Sequence, residues 1–274
     1  MSPAVQPPET IGRLDRLLEA YYTRYYRDTL GLPDWPAKVR GRLREEDVEV
    51  DRLGTVAEAL GQPLRGLRVL NVGCGTGGFN AAAERAGATT WGIDTEPDAI
   101  AICALRRRPA PGARYALAAA EALPLRDGSF DLVYCLSTLE HVADVDAAVA
   151  EMVRVLCPGG AVMLYAPNRW APYENHYKVF WPPLALCPKP LLRLYLRLRG
   201  RPAGFVDTLN RLSLGLCRRL LRRAGAVSIE PFGLASLDGL GSGRGARFLR
   251  LYYEALRIPP AIQLIARKRA AARS

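Results

Sequence analysis

Histidine and paired cysteines are scarce in this sequence. Its 274 residues include 2 histidines and 6 cysteines, and no two cysteines form a C-x-x-C pair. Structural zinc sites and small disulfide-stabilised domains both need closely patterned cysteines or histidines. We therefore predict no metal site and no disulfide framework, and we expect the cysteines to be reduced and mostly buried.

Long apolar runs are also missing. No segment reaches the ~18 consecutive apolar residues that a membrane-spanning helix requires. Met1 to Thr10 is rich in proline and lacks the basic-then-apolar order of a secretory signal. These features predict a cytoplasmic protein. With 49% hydrophobic residues, a chain of this length can bury one large core, so a single elaborated domain is the simplest organisation.

Positive charge is concentrated in the C-terminal third. Residues 188–274 hold 18 Lys and Arg against 4 Asp and Glu, whereas residues 1–187 hold 20 against 23. A basic surface of this kind favours an anionic partner, which is a nucleic acid, a phospholipid surface or a phosphorylated substrate. A solvated, Arg-rich face without a partner is the alternative.

Two helical patterns precede the main domain. Leucines and tyrosines recur at spacings of three and four between Ile11 and Thr29, and a second amphipathic stretch from Val48 to Leu60 ends at Gly61. These patterns predict an N-terminal helical cap over residues 1–62.

Between residues 63 and 268, short apolar runs alternate with helical patterns. The alternation predicts a parallel sheet covered by helices on both faces, which is a doubly wound α/β domain. The predicted strands are Arg68–Val72, Thr89–Ile93, Tyr115–Ala118, Phe130–Cys135 and Ala161–Ala166, and the predicted helices are Gly77–Ala86, Glu96–Arg106 and Val145–Leu156.

The alternation is interrupted twice. Residues 167–207 are rich in proline and aromatic residues and are too long for an ordinary connection, so they predict a substrate or lid insertion. Residues 233–258 are a second insertion. The remaining predicted segments are a helix at Thr208–Ala224, strands at Ala226–Pro231 and Ala261–Ala266, and a basic tail at 269–274.

A strand that runs into a glycine-rich turn is the strongest local motif. Gly73 and Gly75 let the backbone turn sharply and approach a ligand, and the free N–H groups at the start of the next helix favour the ligand's negative end. Asp94 ends the second strand and can accept hydrogen bonds from both hydroxyls of a ribose. The motif fits G-x-G-x-G, but Gly73, Gly75 and Gly78 also fit the dinucleotide fingerprint G-x-G-x-x-G. These residues alone do not decide whether the cofactor is S-adenosylmethionine (SAM) or NAD.

Three later motifs distinguish the two cofactors. They are Ala119–Val133, Leu139–Val142 and Arg154–Gly160. With them, residues 52–166 strongly resemble the class I SAM-dependent methyltransferases of the small-molecule type, which include the ubiquinone-pathway O-methyltransferases. A weaker likeness extends through residues 208–268. The resemblance implies SAM as the cofactor and a Rossmann-like, seven-stranded sheet whose last strand is antiparallel.

The resemblance also assigns the cofactor-binding residues. It implies that the glycine loop lines the methionine part of SAM, that Asp94 holds the ribose and that the loop after the third strand lies against the adenine. Two departures from the family are Asn71, where an Asp is common, and Ala119, where a polar residue is common; both favour weaker SAM binding. The predicted cofactor residues are Arg52, Asn71, Gly73, Cys74, Gly75, Asp94, Ala120, Glu121 and Leu136.

Catalytic and substrate residues are less sharply marked. A methyltransferase must hold the nucleophile and the methyl group together in a dry pocket, with a base when the nucleophile carries a proton. His141 and His176 are the candidate bases, and capping of the next helix is the alternative role of His141. The predicted substrate contacts, all in the first insertion, are Asn168, Tyr173, Glu174 and Tyr177.

Leu191 to Arg199 is predicted to be a helix with leucines on one face and arginines on the other. It is expected either as a lid packed on the core or as a helix that lies on an anionic membrane and admits a lipid-like substrate. The second role would place the protein at the inner face of a membrane.

The predicted function is methyl transfer from SAM to a hydroxyl, or to a carbon or amine, of a small or lipid-linked metabolite. The basic C-terminal third makes RNA methylation an alternative, but no RNA-binding module accompanies the domain, so nucleic acid is not an expected partner. Asn71 and Ala119 leave a SAM-binding protein without catalysis as a second alternative. The acceptor is not specified by these motifs, because the fold serves many substrates.

Overall fold

The computed structural model describes residues 8–106, 114–174, 179–180, 186–233 and 243–271. The predicted His176 and Tyr177 lie outside the described residues. The helices are α1 (Pro8–Thr23), continued by a π-helical turn (Arg24–Thr29), α2 (Trp35–Leu43), α3 (Glu45–Leu60), α4 (Gly78–Arg85), α5 (Pro97–Arg106), α6 (Val145–Arg154), α7 (Lys189–Leu198), α8 (Phe205–Thr208), α9 (Leu214–Arg223) and α10 (Arg244–Leu256).

The described residues form one seven-stranded sheet and one short hairpin. The sheet strands are β1 (Arg68–Val72), β2 (Thr89–Asp94), β3 (Arg114–Leu117), β4 (Phe130–Leu136), β5 (Leu156–Pro167), β8 (Ala226–Pro231) and β9 (Ala261–Lys268), in the order β3-β2-β1-β4-β5-β9-β8. The hairpin pairs β6 (Tyr173–Glu174) with β7 (Val179–Phe180).

The predicted fold class is confirmed. Strands β1 to β5 pair in parallel, whereas β9 runs antiparallel to both β5 and β8. Side chains alternate across the strands, so that Leu70 and Val72 pack with α6 and α9, and Val69 packs with α3 and α4. Helices on both faces of a twisted parallel sheet make the doubly wound arrangement.

This strand order creates a crevice beyond the carboxyl ends of β1 and β4. The chain winds outward from β1 toward β3 and then returns to β4 on the other side, so β1 and β4 are neighbours with helices on opposite faces. Ligands of open α/β sheets bind at such a switch point. The fold therefore brings the glycine turn after β1 and the loop after β4 together.

The N-terminal helices belong to two different layers. Helix α1 packs on α2 and α5 through Leu14, Leu18 and Ile102. Helix α3, in contrast, shares a core with α4 and the sheet through Leu53 and Val56. Helices α1 and α2 therefore share a small core with α5, whereas α3 belongs to the helical layer on the sheet.

Two other segments differ from the predictions. The helix predicted at Thr208–Ala224 begins only at Leu214, because Ser213 caps it and the Asn210 N–H donates to Glu140 O over 2.7 Å. Helix α2 was not predicted, since it buries Val39 alone and has no apolar stripe for a sequence pattern to reveal. The helix predicted at Leu191–Arg199 is confirmed as α7.

No helix in the described ranges is long and apolar enough to cross a membrane. All six cysteines are free thiols, and only Cys157 is partly exposed. Their predicted burial is confirmed.

Candidate cofactor site

The turn between β1 and α4 depends on three glycines with positive φ. Gly73, Gly75 and Gly77 have φ angles of 71°, 51° and 82°, a region that residues with a Cβ enter only under strain. The N–H groups of Gly73 and Cys74 both donate to Ile93 O over 2.9 Å. The turn is therefore tied to the end of β2.

Asp94 completes that connection. Its Oδ2 accepts from the Gly75 N–H at 2.8 Å, and its Oδ1 accepts from the Glu96 N–H at 2.9 Å. Each carboxylate oxygen has a second lone pair, so the side chain can still accept from a ligand's hydroxyl groups. Asp94 thus orients the glycine turn and faces the same crevice.

Gly73 and Gly75 have different surroundings. A Cβ on Gly73 would lie 2.0 Å from Thr138 Oγ1, whose hydroxyl donates to Val72 O, so the loop after β4 closes directly onto this glycine. Around Gly75, nothing described lies within 4 Å of such a Cβ. Gly73 therefore serves packing, while Gly75 presents bare backbone to the crevice.

Gly73→Ala is expected to destabilise the protein by ~1–3 kcal/mol more than Gly66→Ala does, because overpacking adds to the backbone strain. Gly66 has a φ of 79° with open space around it, so its variant measures the strain alone. Urea unfolding of the two variants gives the difference. Equal losses would show that the Thr138 contact is unimportant.

A cavity of about 670 Å³ opens above this turn. Its wall contains every predicted cofactor residue together with His141. The cofactor residues are Arg52, Asn71, Gly73, Cys74, Gly75, Asp94, Ala120, Glu121 and Leu136. The structure thus brings these side chains together, and their contacts with a cofactor remain predictions.

The predicted substrate residues are not brought to the cavity wall in the described part of the chain. Asn168 is buried, donates its Nδ2 to Pro259 O at 2.8 Å and accepts from the Trp170 N–H, so it anchors the start of the insertion. Tyr173 lies in β6, also outside the wall. Glu174 follows it in β6, and its side chain is outside the described part.

Apart from Arg52, the sequence motifs marked no individual wall residue in the N-terminal helices, and they did not mark Tyr134 of β4. Seven further wall residues matter to the site: Tyr21, Tyr22, Tyr25, Arg42, Glu45, Glu49 and Tyr134. The tyrosines at helical spacing in α1 and in the π-helical turn were visible as a pattern, and residues 1–30 were expected to close the pocket, but no motif marked these tyrosines individually as wall residues. Glu45 and Glu49 resemble an ordinary solvated helix face.

A buried polar network fastens these helices to the turn. The Tyr22 hydroxyl donates to Glu45 Oε2 at 2.8 Å, and the Thr76 hydroxyl donates to Glu45 Oε1. Arg106 pairs with Glu45 and donates from Nε to Thr76 O at 2.7 Å. Burial, and then the nearby Glu45 charge, raise the pKa of Tyr22, so its hydroxyl stays protonated as a donor. The network holds α1 and α3 against the start of α4.

Glu121 and Cys74 also have structural partners. Glu121 Oε1 accepts from the Ala143 N–H at 2.6 Å and from the Asp144 N–H at 3.2 Å, which joins the loops after β3 and β4. The Cys74 sulfur lies beneath the turn, 2.9 Å from the position of a Cβ on Gly92. Any contact of Cys74 with a ligand would therefore come from its backbone.

The start of α4 distinguishes SAM from a dinucleotide. In dinucleotide-binding folds the pyrophosphate sits at this helix N-terminus, next to the third glycine. Here the side chain of Glu45 covers Gly78, since a Cβ on Gly78 would lie 2.7 Å from Glu45 Cγ. A carboxylate in that place repels a phosphate. Asp94 and the open face of Gly75 instead fit the ribose of SAM, which carries no phosphate.

Comparisons with known proteins agree with this fit. Residues 70–164 match the family described as "Methyltransferase domain". The ubiquinone biosynthesis O-methyltransferase of Ralstonia nicotianae is 41% identical over 109 residues, which are 39% of this chain and 46% of that protein. The enzyme of the same name from Rhizobium leguminosarum bv. trifolii is 34% identical over 168 residues, 54% of this chain and 66% of that protein. The chain spans about half the length of most of the curated relatives it matches.

Solved structures share the fold. An S-adenosylmethionine-dependent methyltransferase from Mesorhizobium loti superposes with a TM-score of 0.53 at 21% identity, covering 78% of this chain and 96% of that one. A protein from Listeria monocytogenes, also described as an S-adenosylmethionine-dependent methyltransferase, superposes with a TM-score of 0.55 at 15% identity. The match covers 81% of this chain and 98% of that one.

Proposed function

The chain contains a class I SAM-dependent methyltransferase domain, and on this premise we propose that it transfers a methyl group from SAM to a hydroxyl of a small or lipid-linked metabolite. One observation carries the proposal: the predicted cofactor residues line one cavity with the tyrosines of α1 and of the π-helical turn that continues it. The glycine turn thus opens into a space roofed by Tyr21, Tyr22 and Tyr25. Such a roof excludes water from reacting groups.

SAM supplies an activated methyl group on a sulfonium, so the chain's own residues need only position the acceptor and accept its proton. Asp94 and the glycine turn would hold the cofactor. His141, in the cavity wall beside the loop after β4, is the proposed base for the acceptor hydroxyl. The O-methyltransferase name of the curated relatives supports a hydroxyl acceptor and gives no support for RNA methylation.

An acceptor screen tests this function. The purified chain is incubated with SAM and with phenolic or isoprenoid compounds, and S-adenosylhomocysteine (SAH) is measured as the product common to all methyl transfers. We expect SAH to form only with a matching acceptor and to fall in His141→Ala. SAM binding without turnover by any compound class would favour the non-catalytic alternative.

Helix α7 supports a lipid surface as the partner. Leu192 and Leu196 pack inward, whereas Leu191, Leu194 and Leu198 form a stripe on the outer side with exposed fractions of 54%, 54% and 78%. Three leucines at these spacings share one helix face. The helix therefore has two apolar faces, and the outer one is exposed in the described part of the chain.

The arginines near this leucine stripe indicate which kind of lipid headgroup α7 would bind. Arg197 and Arg199 flank the outer leucine stripe and are exposed, in a C-terminal third that is strongly basic. Leucines beside arginines favour a membrane with anionic headgroups over a neutral one. We propose that α7 lies on such a membrane and brings a lipid-linked acceptor to the cavity.

The triple variant Leu191→Ser, Leu194→Ser, Leu198→Ser is expected to bind phosphatidylglycerol vesicles roughly 100-fold more weakly, because each leucine loses ~1 kcal/mol of burial in the lipid. Vesicle sedimentation measures the partition. The matched control replaces Val48, Val50 and Leu117 with Ser. These three side chains are exposed to a similar degree but lie outside α7. Equal losses in both variants, or no loss in the α7 variant, would contradict the proposal.

A further inference from the structure

One corner of the cavity carries charges that the mechanism above does not use. This charged corner consists of Arg42 from α2, Glu45, Glu49 and Arg52 from α3, and Tyr134 from β4. It lies beside Asn71, which is paired in register with Tyr134 on the neighbouring strand.

Within the charged corner, Glu45 is fully engaged. One of its oxygens binds Thr76 and Arg106, and the other accepts from Tyr22 and lies 3.7 Å from Arg42. Glu49 is not. Its Oε1 pairs with Arg52, but its Oε2 is buried without a hydrogen-bond partner among the described residues. The Glu49 side chain is only 8% exposed.

A buried carboxylate oxygen without a donor is costly, so its presence in a cavity wall points to a donor from a ligand. Burial raises the pKa of Glu49, although the charges of Arg52 and Arg42 act in the opposite direction. The Tyr134 hydroxyl is the other polar group of the charged corner that is buried without a partner in the described residues. Burial, and then the nearby Glu49 charge, raise the pKa of Tyr134, so the two unpartnered groups lie close together.

The neighbouring asparagines bear on which ligand group this corner can bind, because they carry no charge. Asn71 Nδ2 donates to Asn80 Oδ1 at 2.8 Å, and this neutral pair occupies the place where the resembled family commonly has an Asp. The end of β1 thus offers no negative charge to a cation. Glu49, which lines the same cavity from α3, is the nearby carboxylate with a free oxygen.

We propose that Glu49 binds the ammonium group of the methionine part of SAM, with Arg52 beside it holding the carboxylate. The α3 carboxylate thereby replaces the strand-end acid that Asn71 lacks. The geometry is suited to a zwitterion, because the Glu49–Arg52 pair presents one anion and one cation side by side. This inference rests on the proposed function, since it assigns residues within the same cofactor site.

Calorimetry with two ligands tests the inference. The first ligand is SAH, and the second is an SAH analogue in which hydrogen replaces the amino group. We expect the wild type to bind SAH at least ~10-fold more tightly than the analogue, which corresponds to one charge-assisted hydrogen bond. Glu49→Gln should lose this preference by weakening SAH alone.

Glu46→Gln is the matched control, because Glu46 lies on the same helix and pairs with Arg85 and Arg106 outside the cavity wall. It should keep the wild-type preference. If Glu49→Gln also keeps it, the inference is overturned and the proposed function stands. If the wild type binds neither ligand, both are overturned.

Unfolding as a function of pH supplies a second readout. A carboxyl whose pKa is higher in the folded state binds more protons there, so the wild type loses stability as the pH rises from about 4.5 through the raised value. Arg52, Arg42, Glu45 and Tyr134 face Glu49 and remain in the variant. The melting temperature of Glu49→Gln relative to wild type should therefore rise as the pH increases above about 4.5. Saturating SAH should reduce that rise, and an unchanged rise would contradict the ammonium contact.

Discussion

Asp94→Ala is expected to weaken SAH binding by at least about 100-fold. Asp94 would accept both ribose hydroxyls, and each charged hydrogen bond contributes ~1.5–3 kcal/mol, so the pair corresponds to roughly 100-fold to 10,000-fold in affinity. The same carboxylate holds the Gly75 N–H at 2.8 Å, so its removal also loosens the turn under the cofactor. Calorimetric titration with SAH measures the change.

The control for that experiment is Asp98→Ala. Asp98 lies in the first turn of α5 and pairs with Arg24 on the surface, where its side chain is 58% exposed. Its removal should leave SAH affinity within about twofold, because an exposed ion pair contributes little. Equal affinities of Asp94→Ala and wild type would show that the ligand does not place its ribose at the end of β2.

Arg106→Ala is expected to lower the free energy of unfolding by about 3–5 kcal/mol, the cost of removing one partner from a buried ion pair. The Arg106 side chain is only 4% exposed and pairs with Glu45 and Glu46, while its Nε donates to Thr76 O. Its loss leaves the Glu45 carboxylate buried without its closest cation. The glycine turn and α3 should separate, and SAH binding should weaken in parallel.

Arg68→Ala provides the comparison. The Arg68 side chain makes two hydrogen bonds to Asp131 but is 44% exposed, so we expect a loss of no more than about 1 kcal/mol. Urea unfolding measures both variants. Similar losses would mean that the buried network does not fasten α3 to the turn.

Strands and the glycine turn could be predicted from the sequence because their signals are local. The apolar run Arg68–Val72 and the strand Ala226–Pro231 were placed at their observed bounds. One helix and one strand separate Gly73 from Asp94 in the sequence. In a βαβ unit the ends of the two parallel strands are neighbours, so the sequence alone predicted that these two residues would lie close together.

The charged corner could not be predicted in this way. Glu45 and Glu49 are spaced like the solvated face of an amphipathic helix, and tertiary packing, such as that of Tyr22 and Arg106 on Glu45, buries them. The same packing places Glu45 over Gly78, which removes the ambiguity between G-x-G-x-G and the dinucleotide fingerprint. Long-range contacts of this kind leave no periodic signal in the sequence.

The insertion was predicted as an interruption but not in its detail. Asn168 was predicted to contact the substrate, yet its amide is engaged by the Pro259 carbonyl and the Trp170 N–H, partners that the sequence pattern did not reveal. The spacing of the leucines in α7 predicted a helix, but it did not show which face of that helix would be buried. Leu192 and Leu196 are buried because Cys187 and Val206 fold against them.

Calorimetric titration of the wild-type chain with SAM, SAH and NAD⁺ tests the central claim most directly. The account predicts micromolar binding of SAM and SAH, and no binding of NAD⁺, because the Glu45 side chain covers the start of α4 where a pyrophosphate would sit. Binding of NAD⁺, or the absence of binding by both SAM and SAH, would contradict it.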